Sequence, residues 1–401
     1  MQCAHLSLAN FRNYIRLELD LPGESIVFVG ENAQGKSNLL EAIYCLATTK
    51  SFRAGSDREL INWDVTSEDV AFAKIGAVIA RNSGPVRLDL SISARDQVAG
   101  NVTMAPVGKR FKVNGVTRRA FDVIGHVNVV HFAPQDVDLI IGSPSIRRRY
   151  LDITIAQVDT RYVRTLAHYG KVLIQRNHLL RRIRDRESRR DQLAFWDDEL
   201  VNAGAYLILR RFETVTKLAT LGHAAHRDLA LQRELLVIDY RGTVSVADTH
   251  GSVDDQLDLI SSTFREALSG SVEREIASGM TLVGPHRDDL TFAIDGHDCA
   301  TFGSRGQQRT VALALKMAEG AFIHSATGDW PILLLDDVMS ELDRARRERV
   351  LASVMPGQQV LLTTTDAESV EKSFFDRAHV FQISQGTVRP QWTSTDALVS
   401  A

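Results

Sequence analysis

Gly30-Glu31-Asn32-Ala33-Gln34-Gly35-Lys36-Ser37 follows the pattern G-x-x-x-x-G-K-[ST] and stands between the apolar run Ser25–Val29 and the helix-forming run Asn38-Leu39-Leu40-Glu41-Ala42-Ile43. A strand, a glycine-bearing turn and a helix in that order suit a phosphate ligand. Backbone N–H groups can wrap phosphate oxygens where no Cβ intrudes, and the positive end of the helix adds to the attraction. Lys36 is then placed for β- and γ-phosphates, and the Ser37 hydroxyl for Mg²⁺. A second apolar run, Pro331-Ile332-Leu333-Leu334-Leu335, ends in Asp336-Asp337. Asp336 is the expected Mg²⁺ ligand, direct or through water. Asp337 is placed to orient or deprotonate an attacking water, with a helix N-cap as its structural alternative.

Such a site needs a sheet to hold it, and the chain supplies strands at both ends. Alternating apolar positions predict strands over Ala4–Phe11 and Tyr14–Asp20, and a buried one over Ser25–Val29, followed by a helix from about Ser37 to Leu46. Val70–Arg81, Val86–Ala94, a hairpin turning at Asn114-Gly115 and Val127–Phe132 extend the β-rich first third. From about Pro144 to Leu231 the spacing becomes helical, with no glycine between Gly170 and Gly204, and predicts two or three long helices. The last third returns to strands at 281–284, 290–294, 331–335 and 359–364, with helices at about 306–325 and 343–353. The class is α/β.

Composition narrows the function classes. The chain has 401 residues, 44% of them hydrophobic, and a formal net charge of −3, which fits a soluble protein of two or three compact units. The N-terminus carries no leader pattern, and no apolar stretch approaches the 18 or so residues of a membrane span, so a cytoplasmic protein is expected. Cys3, Cys45 and Cys299 are scattered and read as core residues. Charge is placed unevenly. Residues 145–190 hold thirteen cations, twelve of them Arg, against four carboxylates. A second cluster, Lys109, Arg110, Lys112, Arg118 and Arg119, contains no acid. Both suit a polyanion such as DNA, and Lys109, Arg110, Lys112, Arg147, Arg148, Arg149, Arg181 and Arg182 are the candidate phosphate contacts. For 181–190 a solvated helix face reads equally well.

Phe302-Gly303-Ser304-Arg305-Gly306-Gln307-Gln308-Arg309-Thr310 resembles the signature motif of ABC-type ATPases, and Ser340-Glu341-Leu342-Asp343 resembles their D-loop. Other stretches sharpen the likeness: Leu8–Tyr14, Gly142-Ser143-Pro144 with Arg147–Asp152, Gly284–Leu290 and Thr363–Asp366. Together they resemble the bacterial RecF family of recombination mediators, from about residue 5 to about 385. The resemblance implies an ABC-type ATPase head, a P-loop NTPase with a β-rich subdomain and a helical second lobe. ATPase lobe I would take residues 1–140 and 326–401, and lobe II, carrying the signature, residues 141–325. It implies ATP and Mg²⁺ as cofactors and an ATP-dependent head-to-tail homodimer in which Ser304 and Gly306 cap the γ-phosphate held by Gly30–Ser37 of the other copy. Gln135 takes the place of the Q-loop glutamine. Implied partners are DNA with single-strand to double-strand junctions, RecR, RecO and RecA, with no membrane.

Departures from the wider ABC pattern are informative. The signature reads Ser-Arg-Gly-Gln-Gln, Asp337 stands where a glutamate is usual, and Thr364 or Thr365 stands where a switch histidine is usual. The shorter carboxylate implies slow hydrolysis. The alternative is an ABC or SMC-type ATPase subunit of another DNA-associated or transport complex. Against it, 268 residues separate Lys36 from Ser304, too many for a transporter subunit, and the helical insert lacks the sustained heptads of an SMC coiled coil.

Overall fold

The computed structural model describes residues 1–65, 70–95, 107–230, 234–246, 251–352, 354–366 and 372–391. The chain divides into two units, Met1–Asp136 with Glu319–Ala401, and Val137–Ala318.

In the first unit, β1 (Gln2–Phe11) and β2 (Tyr14–Asp20) form a hairpin, and β4 (Val70–Ala80), β5 (Val86–Arg95), β6 (Gly108–Val113) and β7 (Val116–Arg118) extend it into an antiparallel sheet of order β2-β1-β4-β5-β6-β7. Strand periodicity sorts its faces. Leu8, Ile75, Leu90 and Phe111 are register partners on the buried face, whereas Ser7, Gly76, Asp89 and Lys112 are partners on the other.

The second sheet of this unit has the order β15-β14-β3-β13-β12-β8, from β3 (Ser25–Val29), β8 (Val129–Phe132), β12 (Ile332–Asp336), β13 (Val360–Thr364), β14 (His379–Ser384) and β15 (Thr387–Gln391). All neighbours are parallel except β14 and β15. Continuous apolar runs such as Ile332–Leu335 are what a sheet covered on both faces requires. Helix α1 (Lys36–Thr48) packs against both sheets, and its Leu39, Leu40, Ile43 and Leu46 share one core with Ile26, Phe28, Leu88 and Leu90. Short helices α9 (Arg344–Ala352) and α10 (Lys372–Phe375) complete the unit.

The second unit is mainly helical. Short α2 (Asp138–Ile141) and α3 (Pro144–Ala156) lead into α4 (Thr160–Arg184), α5 (Leu193–Leu229) and α6 (Val253–Ser278), which pack on one another. A three-stranded sheet of β9 (Leu236–Arg241), β10 (Asp289–Ile294) and β11 (His297–Asp298) lies against α5, and α7 (Cys299–Phe302) precedes α8 (Arg305–Thr327), whose residues from Glu319 onward belong to the first unit. Among the described residues no helix is long and apolar enough to cross a membrane.

The expected strand at 281–284 does not form. Its N–H groups are taken by side chains: Thr281 donates to Asn177 Oδ1 at 2.7 Å, Leu282 to Glu275 Oε1 at 2.7 Å and Gly284 to Thr243 Oγ1 at 2.8 Å. Gly284 has φ +124, and a Cβ there would meet the Tyr169 hydroxyl at 2.6 Å. β9, α6 and the β14–β15 hairpin were not expected from the sequence.

Candidate nucleotide-binding site

Three neighbouring strands deliver the chemistry to one edge of the parallel sheet. Gly30 leaves the carboxyl end of β3, Thr363 and Thr364 end β13, and Asp336 ends β12; Val29 is paired with Thr364, and Asp336 with Thr363. Ligands of parallel α/β sheets bind at this end of the strands.

The glycine loop is shaped by its neighbours. Gly35 has φ +115, and a Cβ there would come within 2.6 Å of the Asn13 side chain. At Gly30 a Cβ would lie 2.4 Å from the Ile383 carbonyl. Asn13 Nδ2 donates to the Gln34 carbonyl at 2.8 Å, Tyr14 Oη donates to the Gly35 carbonyl at 3.1 Å, and the Gln385 N–H donates to Gln34 Oε1 at 2.6 Å. Gln34 is thereby fixed, while Glu31, Asn32 and Ala33 are exposed along the loop. The first turn of α1 carries no acid, and its N-cap Gly35 offers no capping side chain, so the helix N-terminus faces the loop with its positive end uncompensated.

Lys36 Nζ donates to the carbonyls of Gly30 at 2.6 Å and Glu31 at 2.7 Å. Burial pushes its pKa down, against the pull of Asp337 and Asp336. Its hydrogen-bond partners are neutral and leave the ammonium charge at the loop. Ser37 Oγ donates to Asp336 Oδ1 at 2.7 Å, and Thr363 Oγ1 donates to the same oxygen at 2.8 Å. Hydroxyl and carboxylate oxygens are the hard donors Mg²⁺ accepts, and two protein oxygens leave room for phosphate and water ligands, so this pair fits the ion. Asp337 has φ 51, and its side chain does not cap the turn Val338–Glu341 that follows. Its backbone N–H donates to Thr363 Oγ1 at 3.0 Å. Gln135 lies exposed in the turn after β8, beside β12 at the same end of the sheet.

Sequence reasoning missed a cluster behind the loop. Glu41, wholly buried on α1, takes a bidentate pair from Arg12 at 2.7 and 2.9 Å, Arg53 Nη2 at 2.9 Å and Ser51 Oγ at 2.6 Å. Burial alone would raise its pKa; the bonds from Arg12, Arg53 and Ser51 outweigh burial and hold it below the usual carboxylate range. Arg53 also bonds Asn38 Oδ1 on the first turn of α1. Two guanidiniums are thus held beside the phosphate loop by one carboxylate.

In the second unit, Ser304 and Gly306 are exposed at the start of α8. The basic candidates divide. Lys109 turns to the buried face of β6 with Phe111 and Val113, pairing with Asp57 at 2.5 Å and the Thr49 carbonyl at 3.0 Å. Arg147 is buried in a bidentate pair with Asp289 at 2.7 and 2.8 Å. These two candidates are engaged in internal contacts. Arg148 donates to the Asp288 carbonyl at 2.8 Å and is half-buried. Arg110, Lys112, Arg149, Arg181 and Arg182 are exposed. His286 and Asp288 are engaged by Tyr169 and Tyr240, as parts of a structural turn.

The sequence family described as RecF/RecN/SMC N terminal domain matches residues 3–389. The chain is 42% identical over 399 residues to the DNA replication and repair protein RecF of Chloroflexus aurantiacus, covering 97% of this chain and 99% of the relative. It is 38% identical over 392 residues to that of Halalkalibacterium halodurans, with 97% and 99% covered. Among solved structures it matches the recombination mediator protein RecF-ATP in the RecFOR pathway with TM-score 0.83, 32% identity and 97% of each chain covered. An Smc head bound to the C-winged helix domain of ScpA matches at TM-score 0.51 and 14% identity, a likeness of fold. The fold is that of an ABC-type ATPase head.

Proposed function

The chain belongs to the RecF family, and from that premise we propose that it is an ATP-binding, slowly ATP-hydrolysing protein of DNA repair and replication whose nucleotide cycle controls its hold on DNA. The observation that carries this reading is the 2.7 Å contact between Ser37 and Asp336 beside a lysine held at the mouth of a glycine loop. Mg²⁺, when bound, neutralises charge on the β- and γ-phosphate oxygens, and Ser37 and Asp336 are the residues that would hold it.

The protein's own groups divide the work. Lys36 exchanges its two carbonyl partners for phosphate oxygens, an exchange of neutral for anionic acceptors that strengthens each bond. The backbone from Gly30 to Ser37 surrounds the β-phosphate. Asp337 orients the attacking water and accepts its proton as oxygen bonds to the γ-phosphorus and ADP leaves. Ser304 and Gly306 of a second copy close the γ-phosphate from the opposite side, so that ATP links two protomers head to tail. Gln135, in the turn after β8, would contact the nucleotide.

A dimer joined by two nucleotides presents its basic segments twice, and mass action then ties DNA affinity to ATP. The substrate is DNA with gaps or single-strand to double-strand junctions, RecO and RecR are the partners, and loading of RecA onto single strands is the outcome. Hydrolysis releases the clamp. The test is fluorescence anisotropy of a labelled gapped duplex, with and without ATP and Mg²⁺, at two salt concentrations. ATP-strengthened, salt-sensitive binding is expected; binding indifferent to ATP would overturn the clamp.

A further inference from the structure

Ser304 is held by its own helix. Its N–H donates to Gln307 Oε1 at 2.8 Å, and its hydroxyl oxygen accepts from the Gln307 N–H at 3.2 Å, the reciprocal bonds of a capping box. Ser304 Oγ serves there as an acceptor, and its own O–H remains available as a donor to an anion.

The box depends on which way the Gln307 amide faces. Its Nε2 donates to Glu234 Oε1 at 2.9 Å. An ionised carboxylate only accepts, so it bonds the NH₂ end of an amide and not the oxygen end. Glu234 therefore keeps the Gln307 oxygen turned to the Ser304 N–H. A glutamate at 307 would satisfy the cap equally well but would set two carboxylates side by side; glutamine alone bridges a carboxylate and an N–H. Glu234 is itself confined. It lies just before β9, with its other oxygen 3.5 Å from Nε2 of His226, a wholly buried side chain on α5. The anchor thus comes from 73 residues away in the chain and is walled by the long helix.

We propose that Glu234 is a positioning residue for the signature serine: through the Gln307 amide it sets Ser304 and the first turn of α8 in the geometry that receives a γ-phosphate bound by a second copy. This rests on the reading of the nucleotide site as one shared between copies. The role acts in trans, so removing Glu234 leaves a protomer's own glycine loop intact and damages only what that protomer offers its neighbour.

The experiment compares the full-length wild type, Glu234→Ala and Glu234→Gln in two measurements: binding of a fluorescent ATP analogue at protein concentrations where the chain is monomeric, and ATP-dependent dimerisation by analytical ultracentrifugation. Glu234→Ala is expected to bind the analogue as the wild type does and to dimerise between roughly tenfold and a hundredfold more weakly. Glu234→Gln keeps a carbonyl acceptor for Gln307 and is expected to recover most of the loss. If Glu234→Ala dimerises like the wild type, or the Gln variant fails as badly as the Ala variant, the positioning role is wrong. Loss of analogue binding by the Ala variant would make Glu234 a general structural residue and overturn the proposal. A wild type that does not dimerise with ATP would instead remove the shared-site reading, and the proposal with it.

Discussion

Ser37, on the first turn of α1, donates its hydroxyl proton to Asp336 at the end of β12 across 2.7 Å, although the two are 299 positions apart in the chain. Thr363 donates to the same carboxylate oxygen from the strand between. Two distant sequence segments thus become one oxygen-lined site because β3, β13 and β12 are adjacent and parallel.

Lys36→Ala is expected to abolish ATP-dependent dimerisation. The ammonium is the side-chain cation bonded within the loop, to two backbone carbonyls, and alanine offers nothing to the phosphates. Sedimentation with and without ATP checks this; a variant that still dimerises with ATP would show that the loop N–H groups suffice.

Asp337→Asn removes the proton acceptor but keeps the shape. The backbone at 337 has φ 51, a left-handed conformation that asparagine tolerates as aspartate does, so the fold is expected to hold. Turnover should fall by at least about a hundredfold while the ATP-bound dimer persists. Single-turnover hydrolysis at the wild-type rate would exclude Asp337 as the base.

Glu41→Gln tests the cluster behind the loop. Glu41 is buried and bonded to Arg12, Arg53 and Ser51, and breaking such an array costs about 3–5 kcal/mol. The folded-state pKa of Glu41 lies below its unfolded value. Its contribution is therefore complete above the ordinary carboxylate range, about pH 4–5, and disappears as pH falls through the lower folded value. Urea unfolding of both proteins at pH 7 and near pH 3 should show a stability gap that narrows with acid. A gap that stays constant would mean the carboxylate charge is not what stabilises the cluster.

The parts of this architecture that were legible in the sequence are those whose signals are local. The glycine loop and the Asp336-Asp337 pair each occupy one short window beside an apolar strand, so composition and spacing sufficed to place them at strand ends. The Glu41 cluster was not legible, because Arg12 and Arg53 lie 29 and 12 residues from it and no periodicity links them. Thr281–Gly284 carries β-forming side chains, but the side chains of Asn177, Glu275 and Thr243 occupy the N–H groups a strand would use. Lys109 was legible in principle: strand alternation places it on the side of Phe111 and Val113, opposite Arg110 and Lys112.

That alternation also separates two outcomes for DNA. Arg110 and Lys112 project from the exposed face of β6, where Lys112 is the register partner of Asp89 and Arg110 of Ser91. Reversing both charges should weaken binding to a gapped duplex and lower the slope of log affinity against log salt by about two, one for each phosphate no longer neutralised. Arg181 and Arg182, exposed in the last turn of α4, should behave likewise if that turn meets DNA. Lys109→Ala should leave the salt slope unchanged and reduce stability, since its ammonium bonds Asp57 and the Thr49 carbonyl. Anisotropy titrations across several salt concentrations, beside urea unfolding of each variant, distinguish the cases. A salt slope that drops for Lys109→Ala but not for the Arg110 and Lys112 reversals would put the DNA-binding surface on the opposite face of the strand and overturn this assignment.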